Sequence, residues 1–179
     1  MRRMARQKSD EKHRRVFFTS DTHFGDHRVL NIAGRPFAAV AEMNEALIAR
    51  WNARVGPDDE IWHLGDFATA RAGPDIWPTL NGRKHLLVGN NDGPPIRALS
   101  WCSVQDYAEL TVAGLRLVLC HYPFRSWNGA HRGAVNLHGH SHGRLKPLPR
   151  QFDVGVDCRD FAPVSLDELL SSRGAPKRA

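Results

Sequence analysis

The chain has 179 residues, 41% of them hydrophobic and 25% charged, the size and composition of one globular domain with its own core. No stretch approaches the roughly 18 consecutive apolar residues of a membrane helix, so no spanning segment is expected. The net charge of +6 is concentrated at the ends, +5 over residues 1–15 and +3 over residues 173–179, which leaves −2 for residues 16–172 and excludes a basic nucleic-acid groove spread over the body.

Residues 1–15 have no apolar periodicity and are expected to form a disordered basic arm, as are residues 173–179 at the other end, with one folded domain over 16–172. The apolar piece at 16–18 is too short for a signal sequence, so a cytoplasmic protein is expected. Short apolar runs at 16–18, 61–64, 85–88, 115–120 and 152–156 read as buried strands. Met43, Leu47, Ile48 and Trp51 recur at helical spacing, which predicts a helix over 40–55 stopped by Gly56-Pro57. A second helix is predicted over 75–80. A third is predicted to begin at Ser165, where Ser165 and Glu168 form a capping box. Ala113-Gly114 between apolar runs predicts a hairpin. The chain is thus of α/β class, without internal repeats. Cys102, Cys120 and Cys158 have no paired spacing and read as buried small hydrophobes in a reducing compartment.

The chemistry follows the strands. Asp21 and His23 come after the first run, Gly65-Asp66 after the second, and Gly89-Asn90-Asn91-Asp92 after the third. His121 follows 115–120, and His140 and His142 follow 135–138. Loops at strand C-termini gather at one sheet edge in α/β proteins. Asp21, His23, Asp66, Asn90, His121, His140 and His142 are therefore expected to converge. Seven protein donors suit two metal ions with positions left for water and substrate, whereas a structural site closes with about four donors per ion. Oxygen and imidazole donors without thiolate point to Mn, Fe, Ni or Zn. Asp66 is the natural carboxylate to span ions about 3.5–4 Å apart. One Asp-x-His or His-x-His is a weak signal in a chain with ten histidines; five such blocks in order, each at a strand end, are a strong one.

These blocks, Asp21-x-His23, Gly65-Asp66, Gly89-Asn90-x-Asp92, His121 and Gly139-His140-x-His142, resemble those of the calcineurin-like metallophosphoesterase superfamily. The flanking Phe18 to Gly25, Arg35-Pro36-Phe37, His63 to Phe67, and Val154 to Asp157 leading to Pro163 to Asp167 are similar to its small bacterial and phage-type branch. The resemblance implies a four-layer αββα sandwich with a dinuclear centre at one edge. Asp21, His23 and His142 would hold one divalent ion, Asn90, His121 and His140 the other, with Asp66 bridging. It also implies hydrolysis of a phosphate ester by in-line attack of a water or hydroxide held between the ions, without a covalent enzyme intermediate.

One position departs from the family pattern. The superfamily commonly has His after the metal-binding Asn, where it helps protonate the leaving group; here Asn91 stands, an amide that donates a hydrogen bond but does not titrate. Asp92, which in the family supports that His, is expected to orient Asn91, and both are read as catalytic positions. Losing a general acid lowers the rate on poor leaving groups by roughly 10²–10⁴. The expectation therefore tilts toward phosphodiesters, with a nucleotide or nucleic-acid end among the candidate substrates. A phosphomonoesterase is the enzymatic alternative, and a degenerate body that binds nucleic acid through its basic ends the non-enzymatic one. His27 and His131 are the nearest candidates to replace the acid, and Arg35 and Arg125 are candidate phosphate contacts. His63 and His138 are expected to hydrogen-bond behind the ligands. The tryptophans read as core, except Trp127, which is close in sequence to the presumed site.

Overall fold

The computed structural model describes residues 14–146 and 148–171. Most of the two basic ends lies outside the described residues. Arg14 and Arg15, assigned to the arm by sequence, belong to the body. Arg15 binds the Asp59 carboxylate at 2.6 Å and Arg14 pairs with Glu60 at 3.7 Å. Among the described residues no helix is long and apolar enough to cross a membrane.

The first half of the chain runs β1 (Val16–Thr19), α1 (Arg28–Ile32), α2 (Val40–Arg54), β2 (Glu60–His63), α3 (Gly73–Ile76), β3 (Arg83–Leu87), α4 (Pro94–Arg97) and β4 (Ser103–Gln105). The second half runs β5 (Tyr107–Val112), β6 (Leu115–Cys120), β7 (Val135–His138), β8 (Gln151–Asp153), β9 (Val164–Ser165) and α5 (Leu166–Ser171). Two sheets result, ordered β4-β3-β2-β1-β9 and β5-β6-β7-β8. Strands β1 to β4 are parallel with β9 antiparallel on the edge, and β6, β7 and β8 are parallel with β5 antiparallel.

The layering follows from two-residue alternation along each strand. Phe17, Ile61 and Leu86 face one way and pack with Met43, Leu47 and Trp51 of α2. Phe18, Trp62 and Leu87 face the other way, toward Leu117, Leu119, Val135 and Leu137 of the second sheet. The first sheet is therefore buried on both faces, as its continuous apolar runs require. On the far face of the second sheet, Asn136 Oδ1 accepts the Phe124 N–H and Gln151 Nε2 donates to the Phe124 carbonyl. That face is thus covered by segment 121–134, whose helical content is the 3₁₀ turn Ala130–Arg132.

Local chemistry accounts for the boundaries. Ala39 gives α2 no side-chain cap, a loss of about 1 kcal/mol. Burial of Met43, Leu47 and Trp51, worth about 1.5–3 kcal/mol for each large apolar side chain, outweighs it. The helix predicted over 75–80 is instead α3 followed by a 3₁₀ turn, Trp77–Thr79, because Pro78 lacks the N–H that would continue α geometry. The capping box before α5 forms: Glu168 Oε2 accepts the Ser165 N–H at 2.8 Å and Ser165 Oγ accepts the Glu168 N–H at 3.4 Å. Ala113 and Gly114 both have positive φ, as the two-residue turn of the β5–β6 hairpin demands. Elements α1, α4, β4 and β9 have five residues or fewer and show no periodicity long enough to read. Of the cysteines only Cys120 is buried; Cys158 is half-buried and Cys102 is exposed just before β4, so the buried reading fails for these two.

Candidate metal centre

Five of the seven expected donor residues, Asp21, His23, Asp66, His140 and His142, have φ between 48° and 65°. This left-handed region is uncommon for side-chain-bearing residues, and strain of this kind concentrates at functional sites. It arises here because each loop must turn sharply off its strand to bring its donor back over the sheet edge. Glycines make the crowding possible. A Cβ on Gly65 would lie 2.5 Å from His121 Nδ1 and 2.7 Å from the Gly89 Cα, and one on Gly139 would strike the Ser20 hydroxyl.

The donors converge. Asp21, His23 and His142 offer ligand atoms within 4.8 Å of one another, and so do Asp21, Asp66 and His121. Asp66 Oδ2 lies 3.5 Å from His23 Nε2 and 3.7 Å from His121 Nε2, so it sits between an imidazole of each group. The His140 and His121 rings are 5.1 Å apart, and Asn90 Oδ1 is 3.1 Å from His121 Nε2. Asp21, Asp66 and His121 are buried, whereas Asn90, Asn91 and His140 are exposed, so the site opens on the side of the last three.

The set fits a divalent metal centre on the state of its lone pairs. His121 Nδ1 donates to the Leu64 carbonyl at 2.7 Å and His142 Nδ1 donates to Asp157 Oδ2 at 2.6 Å. Each ring thereby turns a bare Nε2 inward, the arrangement that orients a metal-ligating histidine. The His121 lone pair then faces the Asn90 carbonyl oxygen at 3.1 Å, two acceptors that a shared cation would reconcile. His23 Nε2 is buried with no hydrogen-bond partner. Burial pushes the Asp21 carboxyl up to about 8 and the His23 imidazole down to about 4. These groups resist ionising alone, and a cation would favour both the carboxylate and the bare imidazole.

The remaining expected site residues divide. Asn91 is at the centre: its Nδ2 donates to Asp66 Oδ2 at 2.6 Å and its backbone N–H to Asp66 Oδ1 at 2.8 Å. Asp92 does not orient the Asn91 side chain. Its carboxylate accepts the backbone N–H groups of Asp66, Phe67 and Gly89 and so ties the loop after β2 to the loop after β3. Arg35 is no phosphate contact, because its side chain is fully buried and spent on Asp157 and on the carbonyls of Asp21 and Thr22. Arg125 is exposed in segment 121–134 and does not line the cleft at the donors. His131 accepts from Arg132 in the 3₁₀ turn, and Trp127 closes the same segment onto the Ala134 carbonyl. His27 is exposed outside the cleft lining. His63 Nε2 donates to Thr22 Oγ1, whose own proton goes to Phe67 O, and His138 Nδ1 bonds the Gly139 carbonyl; both lie behind the donors.

A cleft of about 230 Å³ opens at the donors, lined in part by His23, Asp66, Asn90, Asn91, His140 and His142. Asp26, Arg28, Val29 and Ile32 form its other wall, which sequence reasoning missed because α1 has five residues. Asp157, in the run 154–157, lies outside the five donor-bearing blocks but binds His142 Nδ1. A larger hollow of about 800 Å³ between α2 and Phe161 contains none of the seven donors.

No family model matches the chain. An uncharacterized protein of Methanocaldococcus jannaschii is 29% identical over 170 residues, covering 88% of this chain and 90% of that protein. The gene 66 protein of mycobacteriophage D29 is 33% identical over 188 residues, covering 83% of this chain and 92% of the phage protein. The crystal structure of AQ665 from Aquifex aeolicus, a protein of unknown function, superposes with a TM-score of 0.69 at 22% identity, covering 89% of this chain and 99% of that one. That likeness establishes a shared fold.

Proposed function

We propose, from the five donor-bearing blocks and their convergence at one sheet edge, that this chain, which belongs to one family with the gene 66 protein of mycobacteriophage D29, is a calcineurin-like metallophosphoesterase that cleaves phosphodiesters with two divalent metal ions. The reading is carried by Asp66 Oδ2, which lies 3.5 Å from His23 Nε2 and 3.7 Å from His121 Nε2, the position of a bridging carboxylate. Asp21, His23 and His142 would hold one ion, and Asn90, His121 and His140 the other. When bound, such a pair withdraws charge from the phosphoryl oxygens and supplies the attacking water at neutral pH.

The chain's own residues set the geometry. Asn91 clamps both oxygens of Asp66, and the second N–H of its amide remains to donate to a phosphoryl oxygen. No proton for the leaving group comes from this amide, which favours esters whose leaving groups need little help. The cleft, about 230 Å³, is smaller than the roughly 300–1,000 Å³ of drug-sized pockets. A cleft of this size suits a phosphoryl group with its ester arms toward the open side, which leaves room for the second arm of a diester. Gathering of the donors, rather than their dispersal, disfavours a degenerate body that only binds nucleic acid.

The test is hydrolysis of matched aryl phosphodiester and phosphomonoester substrates, then of nucleotide diesters and nucleic-acid ends, after reconstitution with Mn, Fe, Ni or Zn. Diester preference in at least one metal, abolished by Asp66→Asn, is the expected result. Undiminished turnover by Asp66→Asn overturns the assignment, and monoester preference replaces it with a phosphomonoesterase.

A further inference from the structure

We infer that Arg28 is the cation of this cleft that receives the nonbridging oxygens of the substrate's phosphate, a role that rests on the phosphoesterase reading above. The other arginines with partners near the donors do not line the cleft. Arg35 is buried against Asp157, Arg97 donates to the Asp92 carbonyl, Arg144 to the Ile32 carbonyl, and Arg159 to the Asp153 carbonyl. Among the described residues, Arg28 is the one Lys or Arg that lines the cleft containing Asp66, Asn91 and His140.

Its guanidinium is aimed before any ligand arrives. Asp26 takes Nε at 2.9 Å and Nη2 at 2.8 Å, and its Oδ1 also accepts the Arg28 backbone N–H at 2.9 Å. Asp26 is itself fixed to the ligand loop, because its backbone N–H donates to the His23 carbonyl at 3.0 Å. This fork uses one edge of the guanidinium and leaves Nη1 without a partner among the described residues. The planar group presents that free edge to a second anion. The Asp26 side chain is 11% exposed and that of Arg28 64%, so the anchor is buried while the arm is wet. An ion pair this exposed contributes little to stability, but holding the arm in one direction lowers the entropy lost when phosphate binds. It also supplies the positive charge that Asn91 does not.

The experiment measures orthophosphate binding to the Mn-reconstituted protein by calorimetry, Mn affinity of the metal-free protein, and kcat and KM on an aryl diester. The variants are Arg28→Ala, Arg28→Lys and Asp26→Asn. Arg28→Ala is expected to weaken orthophosphate binding at least about tenfold and to raise KM comparably, with Mn affinity unchanged. Arg28→Lys restores part of the loss. Asp26→Asn gives an intermediate loss, since the cation remains but is no longer aimed. Unchanged orthophosphate affinity in Arg28→Ala, in a protein whose wild type turns over esters, overturns the role of Arg28 alone. A fall in Mn affinity overturns it as well, because the residue is then structural. A wild type inert toward every ester in every metal overturns the phosphoesterase reading and this role with it.

Discussion

Asp157, outside the five donor-bearing blocks, accepts the Nδ1–H of His142 at 2.6 Å and grips the Arg35 guanidinium at 2.8 and 2.9 Å. Arg35 in turn donates to the Asp21 and Thr22 carbonyls. One buried fork thus links the loop after β1 to the loop after β7 and fixes the ring that presents Nε2 to the metal position. Against burial, His142 and Arg35 hold the Asp157 carboxyl down at about 2.

Asp157→Asn removes the anionic acceptor of His142, and metal affinity is expected to fall about 10–100-fold, read by calorimetric titration of the metal-free protein. Arg35→Met leaves the Asp157 carboxylate buried without its partner, a loss of about 3–5 kcal/mol in urea denaturation. Wild-type Mn affinity in Asp157→Asn would show that His142 needs no such support.

Asp92 predicts a different signature, stability before catalysis. Its carboxylate satisfies the N–H groups of Asp66, Phe67 and Gly89 at 2.8–2.9 Å, and an unsatisfied buried group costs about 1–3 kcal/mol. Asp92→Ala is therefore expected to destabilise even the metal-free protein by at least about 3 kcal/mol. Urea denaturation in the presence of a chelator checks this, and a variant as stable as wild type would return Asp92 to a purely catalytic role.

Stability against pH follows from His23, His63, Asp21 and His142. Burial lowers His23 to about 4 and His63 to about 3, and raises the Asp21 carboxyl to about 8. The unfolded values are about 6.5 for His and 3.9 for Asp. As pH falls below about 6.5 the unfolded chain binds protons on both imidazoles that the native state refuses, so stability falls toward pH 4. Asp21 has the opposite sign: the native state keeps a proton that the unfolded chain has released, and this contribution is lost as pH rises toward 8. His142, raised by its bond to Asp157, adds to that alkaline loss. Two imidazoles outweigh one carboxyl on the acid side. The metal-free protein is thus expected to be most stable near pH 6.5, with metal-induced stabilisation growing toward pH 8 as a cation replaces the Asp21 proton. Urea midpoints at pH 4.5, 6.5 and 8.0, with chelator and with Mn, test it; a metal-free midpoint higher at pH 8.0 than at 6.5 contradicts it.

The convergence of these side chains was legible in the sequence because each follows an apolar strand, and strand ends are the most regular feature of a parallel sheet. Side-chain direction was not. Arg35 stands in a recognisable Arg-Pro-Phe run yet points into the core, since its partner Asp157 lies 122 residues away and no local periodicity encodes that pairing. The family resemblance gives Asp92 the task of orienting Asn91, but consecutive residues in a tight loop point different ways, and its carboxylate turns to the backbone. The cleft wall at Asp26 and Arg28 was hidden for a related reason: a five-residue helix has too few turns to show an apolar stripe, and its position is set by contacts with the ligand loop.

Asn91→His tests whether the missing acid can be restored. The substituted ring brings a group titrating near pH 6.5 to a position whose backbone N–H donates to Asp66 Oδ1 at 2.8 Å. Both Asp92 oxygens already accept backbone N–H groups, so the new imidazole would share a carboxylate held by the loop rather than gain one aimed at it. A well-placed general acid contributes roughly 10²–10⁴, and an unoriented one much less. Turnover of an alkyl phosphomonoester is therefore expected to rise by about tenfold, with a new limb in its pH–rate profile near 6.5, while aryl diester turnover changes little. Diester turnover falling with no monoester gain would show instead that the Asn91 amide, through its 2.6 Å bond to Asp66 Oδ2, is needed to position the carboxylate.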